Sequence, residues 1–333
     1  MANLLLTRKC VRSCPYCFAR EQMNDPSPDG SLTWENFLYV IDFLESSHER
    51  HISLLGGEPT LNPHFVDFVA YLIARQFHVS VFTSGIMSTP VLDDAWKHLR
   101  DVAPDQLSFV VNVNQPDISS DKETERLERF LELFGHHSSL GYNIYRPDFD
   151  LAVLFDYINR YGTRRHLRIG LAHPIPGEHN RCLASHELKH MAQRLMQFVP
   201  NLDQFHITIG FDCGMPLCLF SDEQLGILYR ISQGNLHFNC GPAIDIGPDM
   251  TVWSCFPLSG FRRRSLYDFN SLQDIRQFYE RLHKLVRQES GGVRLECDTC
   301  RHRESGLCEG GCIAHLVDRF HTEAPVRITE VYG

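Results

Sequence analysis

Cys10, Cys14 and Cys17 fall within eight residues, in the stretch Cys10-Val-Arg-Ser-Cys14-Pro-Tyr-Cys17-Phe18. Three thiolates on one short loop can hold three corners of a cubane iron–sulfur cluster, and the segment offers no fourth cysteine, so one iron is left open. A structural zinc site normally closes its four-coordinate shell, so a local set of three points to an open, reactive site. Zinc completed by a distant cysteine, or a disulfide, is the alternative. Eight further cysteines crowd the other end of the chain: Cys213, Cys218, Cys240, Cys255, Cys297, Cys300, Cys308 and Cys312. They divide into two sets of four, the count for two cubane clusters or two zinc sites. An iron–sulfur first site makes iron the preferred reading. Cys182 belongs to neither group; it reads as a buried small hydrophobe, or as a thiol that donates a hydrogen atom or binds substrate.

The twelve cysteines sit in a chain of 333 residues, too sparse for a secreted disulfide scaffold. Hydrophobic residues at 43% and charged ones at 22% are ordinary globular usage, which excludes a disordered or fibrous protein. No apolar run approaches the roughly 18 residues of a membrane span, and Leu4 to Leu6 lie too close to Cys10 and Arg12 for a signal peptide. A cytoplasmic location without a membrane partner is expected. Net charge is −9, and the one dense basic run, Arg262 to Arg264, is short, which argues against a nucleic-acid partner.

The elements that must position these thiols come from an alternation of short apolar runs and helical patterns up to about residue 175. Strands are expected at Asn3 to Thr7, Ile52 to Leu55, His78 to Thr83, Leu107 to Val113, Leu140 to Tyr145 and Leu167 to Ala172. Helices are expected between them, with a further one over Ser185 to Phe198 capped by Ser185. Six βα units imply a parallel sheet, either an open barrel or a doubly wound sheet, with chemistry at the C-terminal strand ends. The first strand then leads into the cysteine loop. The second ends in Gly56-Gly57-Glu58, where glycines let the backbone approach a ligand and a carboxylate can accept from an ammonium group. The fourth supplies Asn112 and Asn114, which period two places on one face. Asp212, beside Cys213, could deprotonate a substrate radical or merely form a turn. After about residue 205 the pattern breaks into a strand-like run, a helix, a hairpin around Gly247 to Asp249 and a loop-rich end that bound metal would cross-link. His186-Glu187-Leu188-Lys189-His190 matches the HExxH zinc-protease pattern at its fixed positions, but it reads as an ordinary helix surface.

The CxxxCxxC spacing with an aromatic residue before the third cysteine resembles the radical S-adenosylmethionine (SAM) superfamily. The resemblance implies an α/β fold, a partial (β/α)6 TIM-like barrel over residues 1–205, followed by a small, loop-rich, cysteine-rich iron–sulfur domain over 206–333. It further implies that Cys10, Cys14 and Cys17 ligate a [4Fe-4S] cluster whose open iron is chelated by SAM. One electron then cleaves SAM to methionine and a 5′-deoxyadenosyl radical. Gly56, Gly57 and Glu58 match the family's GGE motif and would hold the SAM amino group. Thr83-Ser84-Gly85 resembles the family's Thr-Asn-Gly, with Ser84 replacing Asn. Asn112 and Asn114 would bind ribose hydroxyls or the methionyl carboxylate, and Phe18 would lie near the adenine.

The later cysteines resemble the SPASM/Twitch-like auxiliary-cluster extension. Cys240 and Cys255 match its hairpin pair, and Cys297, Cys300, Cys308 and Cys312 its central group. There are three departures: the gap before Cys308 is seven residues where the pattern has five, Met250 stands where it usually has Gly, and no cysteine follows Cys312. By analogy Cys240, Cys255 and Cys312 serve one auxiliary cluster and Cys297, Cys300 and Cys308 another. Cys213 and Cys218 could complete them from upstream; otherwise one cluster is absent or has a non-cysteine ligand.

The resemblance implies an enzyme that oxidatively modifies a ribosomally made precursor peptide, with an electron donor such as flavodoxin or ferredoxin. Nine residues before Cys10 leave no room for a peptide-recognition domain, so a peptide substrate would need a separate leader-peptide-binding protein or direct capture by the barrel. The alternatives are the same chemistry on a small-molecule substrate or a protein side chain, as in sulfatase maturation, and a non-catalytic iron–sulfur or zinc protein.

Overall fold

The computed structural model describes residues 2–19, 30–177, 179–212 and 214–323. Seven parallel strands follow one another in sequence order across the sheet: β1 (Ala2–Thr7), β2 (His51–Gly56), β3 (His78–Thr83), β4 (Leu107–Asn112), β5 (Ser138–Ile144), β6 (His166–Leu171) and β7 (Thr208–Phe211). A doubly wound sheet needs a reversal of strand order, and none occurs, so the arrangement is the partial barrel. Helices α1 (Trp34–Ser46), α2 (Phe65–Ala74), α3 (Thr89–Leu99), α4 (Asp121–Phe134), α5 (Ala152–Tyr161), α6 (Leu188–Met196) and α7 (Val199–Gln204) lie between the strands in the chain.

Local sequence explains these elements. Thr33 caps α1, its hydroxyl accepting from Asn36 N at 3.2 Å, and Ser120 and Glu123 form a reciprocal capping box on α4. α1 buries Phe37, Val40, Ile41 and Leu44, the i, i+3, i+4, i+7 stripe of a helix on a sheet. Phe37 stacks on Phe68 of α2 with centroids 4.1 Å apart, while Phe109 of β4 packs edge-on to Phe130 of α4. The expected start of α6 is corrected. The helix begins at Leu188, and the Glu187 carboxylate accepts from Ala184 N at 2.8 Å, so a turn occupies Ser185 to Glu187 and Ser185 is not the cap. His186 thus lies outside the helix that carries His190, and the HExxH pattern gains no shared helical face.

After β7 come α8 (Asp222–Ile231), the antiparallel hairpin β8 (Ile244–Ile246) and β9 (Thr251–Ser254), the short β10 (Arg264–Ser265), and then α9 (Leu272–Ser290), α10 (Arg301–Glu304) and α11 (Ala314–Glu323). β8 pairs in parallel with β1, so the C-terminal hairpin extends the barrel sheet to ten strands. The hairpin is tied down again by an ion pair between Arg8, 3% exposed, and Asp249. Met250 takes a left-handed conformation, φ 65°, which accounts for the glycine usual at that position; here a buried methionine accepts the strain. Among the described residues no helix is long and apolar enough to cross a membrane.

Asp245 of β8 is fully buried. Its Oδ1 accepts from Asn3 Nδ2 at 2.7 Å, while Oδ2 has no hydrogen bond, the Trp253 indole nearby lacking the geometry for one. Burial pushes this carboxyl up to about 7. A group held protonated in the folded state costs stability as pH rises from the ordinary carboxylate range through its raised value. The urea midpoint of the wild-type protein should therefore fall across that window. Asp245→Asn should remove that part of the slope and be the more stable form above pH 7, by on the order of a few kcal/mol; parallel pH profiles for the two proteins would contradict this.

Candidate functional site

The loop carrying Cys10, Cys14 and Cys17 leaves the C-terminal end of β1 and is clamped by the end of β2. Thr7 O accepts from Gly57 N at 2.9 Å, and Lys9 O accepts from Glu58 N at 2.7 Å. A Cβ on Gly57 would lie 2.2 Å from Lys9 O, and one on Gly56 2.4 Å from Thr7 O. The two glycines admit the backbone of the cysteine loop.

Glu58 is 1% exposed and gathers the neighbouring strand ends. Its Oε1 accepts from Thr83 Oγ1 at 2.7 Å and Thr60 Oγ1 at 3.0 Å, and its Oε2 from Ser84 N at 2.8 Å and Ser84 Oγ at 2.6 Å. The serine that replaces asparagine after β3 is therefore a direct partner of this carboxylate. Thr60 and Thr83, which sequence reading gave no role, complete it; hydroxyls flanking the Gly-Gly-Glu turn and the β3 end were the available signal. Burial pushes the Cys10 thiol up; the Arg12 N–H opposes, and the charges of Glu58 and Cys14 add to the rise.

Asn114 lies two residues past β4 and is buried. Its side-chain oxygen accepts from Tyr16 OH, and its Nδ2 donates to Cys14 Sγ at 3.4 Å. Tyr16, the aromatic residue before Cys17, stacks on Tyr145 at 4.9 Å. Arg12 braces the same loop, donating from Nη1 to Asn112 O and pairing through Nε with Glu123 Oε1, both at 3.3 Å. Phe18 lies 5.9 Å, centroid to centroid, from Phe256, which follows Cys255.

Farther round the barrel, Arg168 of β6 pairs through Nε with Asp212 Oδ1 at 2.6 Å, and its guanidinium lies 4.6 Å over the ring of Phe82 on β3. Burial raises the Asp212 carboxyl although Arg168 opposes. A Cβ on Gly170 would meet Asn143 Oδ1 at 2.4 Å and Asp212 Oδ2 at 2.8 Å, so this glycine clears space for both polar groups. Cys182 adjoins the Tyr16, Tyr145 and Ala172 cluster beside Cys14, and its segment is tied to the cysteine loop by Arg181 N donating to Pro15 O at 2.9 Å. Burial, aided by Asp318 and Glu187, pushes its thiol up to about 11.

Among the described residues no three His, Cys, Asp or Glu side chains converge tightly enough for a single metal ion. The C-terminal thiols instead act on one another in two groups. Cys240 and Cys312 share an apolar cluster with Leu258, Val286 and Ile313. Cys255 is pushed up to about 12 by burial, then by Asp245 and Cys240. In the other group burial raises Cys297, with Cys308 and Cys300 adding to it. Cys213 lies outside the described residues.

Residues 4–147 match the family model of the radical SAM superfamily. The mycofactocin maturase MftC of Mycobacterium tuberculosis is 33% identical over 85 residues, 26% of this chain and 21% of the relative. An S-adenosylmethionine-dependent nucleotide dehydratase of Selenomonas ruminantium is 37% identical over 93 residues, 27% of this chain and 32% of the relative. The chain thus spans less than a third of the curated relatives it matches. Among solved structures, Streptococcus suis SuiB bound to S-adenosylmethionine superposes with a TM-score of 0.64 at 14% identity, covering 95% of this chain and 73% of that one.

The Gly57 contact is directly testable. Gly57→Ala must displace the cysteine loop, because its Cβ would lie 2.2 Å from Lys9 O. The variant should fold, as judged by its circular dichroism, yet be less stable than the wild type in urea by about 1–3 kcal/mol. An unchanged urea midpoint would show that the loop tolerates the displacement.

Proposed function

We propose that the chain, whose residues 4–147 match the radical SAM family model, is an enzyme that reductively cleaves SAM and oxidatively modifies a ribosomally made precursor peptide. The observation that carries this reading is the junction of Cys10, Cys14 and Cys17 with the Gly57 and Glu58 backbone on a loop at the C-terminal strand ends. Three half-buried thiols on one braced loop, one of them accepting from the Asn114 amide, suit an iron–sulfur cluster with an open corner. When bound, the cluster and SAM supply a carbon radical able to abstract a substrate hydrogen.

The chain's own residues bind and orient. Gly56, Gly57 and Glu58 would hold the SAM amino group; Ser84, Asn112 and Asn114 would bind its ribose and methionyl carboxylate, and Phe18 would lie by its adenine. Asp212 Oδ2 takes a proton from the substrate, its raised basicity set by burial and its direction by Arg168. Cys182, neutral at pH 7, offers an S–H beside the cysteine loop. The C-terminal thiols hold one or two auxiliary clusters of a SPASM-like region over residues 206–333, two being favoured, which take the electron left on the product. An external donor such as flavodoxin or ferredoxin and a separate leader-binding protein are the proposed partners.

The peptide reading draws on the maturase MftC; the likeness to a nucleotide dehydratase supports a small-molecule substrate as the second reading. Anaerobically reconstituted protein, given dithionite, SAM and peptides encoded by short reading frames beside the gene, should release 5′-deoxyadenosine and return one peptide lighter by two hydrogens. Cys14→Ala should abolish both. Release no greater than that of Cys14→Ala would overturn the enzyme reading, and turnover of a nucleotide but of no peptide would replace the first substrate class by the second.

A further inference from the structure

We propose that Cys218 is the closing ligand of the second auxiliary cluster, supplied from the segment just after the barrel. The inference rests on the reading of Cys297, Cys300 and Cys308 as three ligands of that cluster. The charged groups that act on the Cys218 thiol are Arg294, Cys297 and Cys308, and backbone geometry brings its segment to the same loop. After β7 the chain runs through Gly214 and Pro216 into the helical turn Leu217–Leu219. A Cβ on Gly214 would lie 2.8 Å from Cys312 Cβ, and one on Gly311 would lie 3.4 Å from Pro216 Cγ. Residues 214–216, which lead into the turn that carries Cys218, are therefore laid against the Gly311–Cys312 end of the loop that begins at Cys308.

That loop in turn closes on Cys297. Val293 N donates to Gly310 O at 2.8 Å, Cys308 Sγ accepts from Gly310 N at 3.4 Å, and a Cβ on Gly292 would lie 2.6 Å from Cys297 Sγ. Gly292 and Gly310 keep the backbones close enough for thiols from three separate segments to reach one centre. Arg294, paired with Glu296 at 3.1 Å, brings a positive charge to a group that becomes strongly anionic once its thiols ionise.

Iron and sulfide counts and low-temperature electron paramagnetic resonance on the full chain, reconstituted anaerobically, test this. The wild type should carry about twelve irons. Cys300→Ala defines the signal of the second cluster, and Cys218→Ala should lose the same signal with the iron it represents. Both should keep the far-ultraviolet circular dichroism of the wild type, which reports an intact barrel. Cys218→Ser should keep the iron with a shifted signal, because oxygen replaces sulfur at one corner. If Cys300→Ala loses a signal that Cys218→Ala keeps, the assignment of Cys218 is wrong. If Cys300→Ala loses nothing, the reading of the second cluster fails, and the assignment with it.

Discussion

The site depends on a contact between two backbones with no side chain between them. Where Gly56 and Gly57 meet Thr7 and Lys9 there is no space for a Cβ, and two hydrogen bonds fix the spacing of the β2 end from the cysteine loop. A loop of three thiols is otherwise free to spread, and negative sulfurs repel one another. Pinning its root to a strand end lets Arg12, Asn114 and Tyr16 brace the remainder. Glu58 extends the same junction to β3 through Thr83 and Ser84. Three consecutive strands are thereby locked at their C-terminal ends, where a parallel barrel gathers its chemistry.

The second level of organisation is the way the C-terminal region attaches. A short hairpin has little core of its own, and β8 gains one by pairing with β1 and by burying Asp245 and Trp253 against the barrel. The cost is a carboxyl held in a site that disfavours its charge. The same attachment sets Phe256, one residue after Cys255, against Phe18, one residue after Cys17. Residues that adjoin an N-terminal thiol and a hairpin thiol are thus in ring contact.

Much of this is legible in the sequence, for identifiable reasons. Strands covered on their outer face by helices write continuous apolar runs, so all of the first six were placed to within a few residues, and the cysteine spacing gave the N-terminal loop. The winding of the sheet was not legible, because βα alternation is common to barrels and doubly wound folds. Nor was the parallel pairing of β8 with β1, a contact between residues 242 positions apart at Asn3 and Asp245. The contact of the Gly-Gly pair with the cysteine loop was not legible for a related reason: glycine advertises close approach without saying what approaches. Ser185 looked like a cap, but the Glu187 carboxylate took the turn's free N–H and started the helix later. Polar lumen residues such as Arg168 and Asp212 left the faintest trace, since their partnership crosses strands and has no period along the chain.

In the proposed function the loop of Cys10, Cys14 and Cys17 leaves one iron open to the amino and carboxylate groups of SAM. Pulsed hyperfine spectroscopy on the reduced, reconstituted protein, with SAM labelled with nitrogen-15 in its methionyl amino group, measures this contact at the metal. The account predicts a nitrogen coupling that appears on adding SAM and vanishes in Cys14→Ala. A reduced N-terminal cluster that shows no coupling with saturating SAM would contradict it.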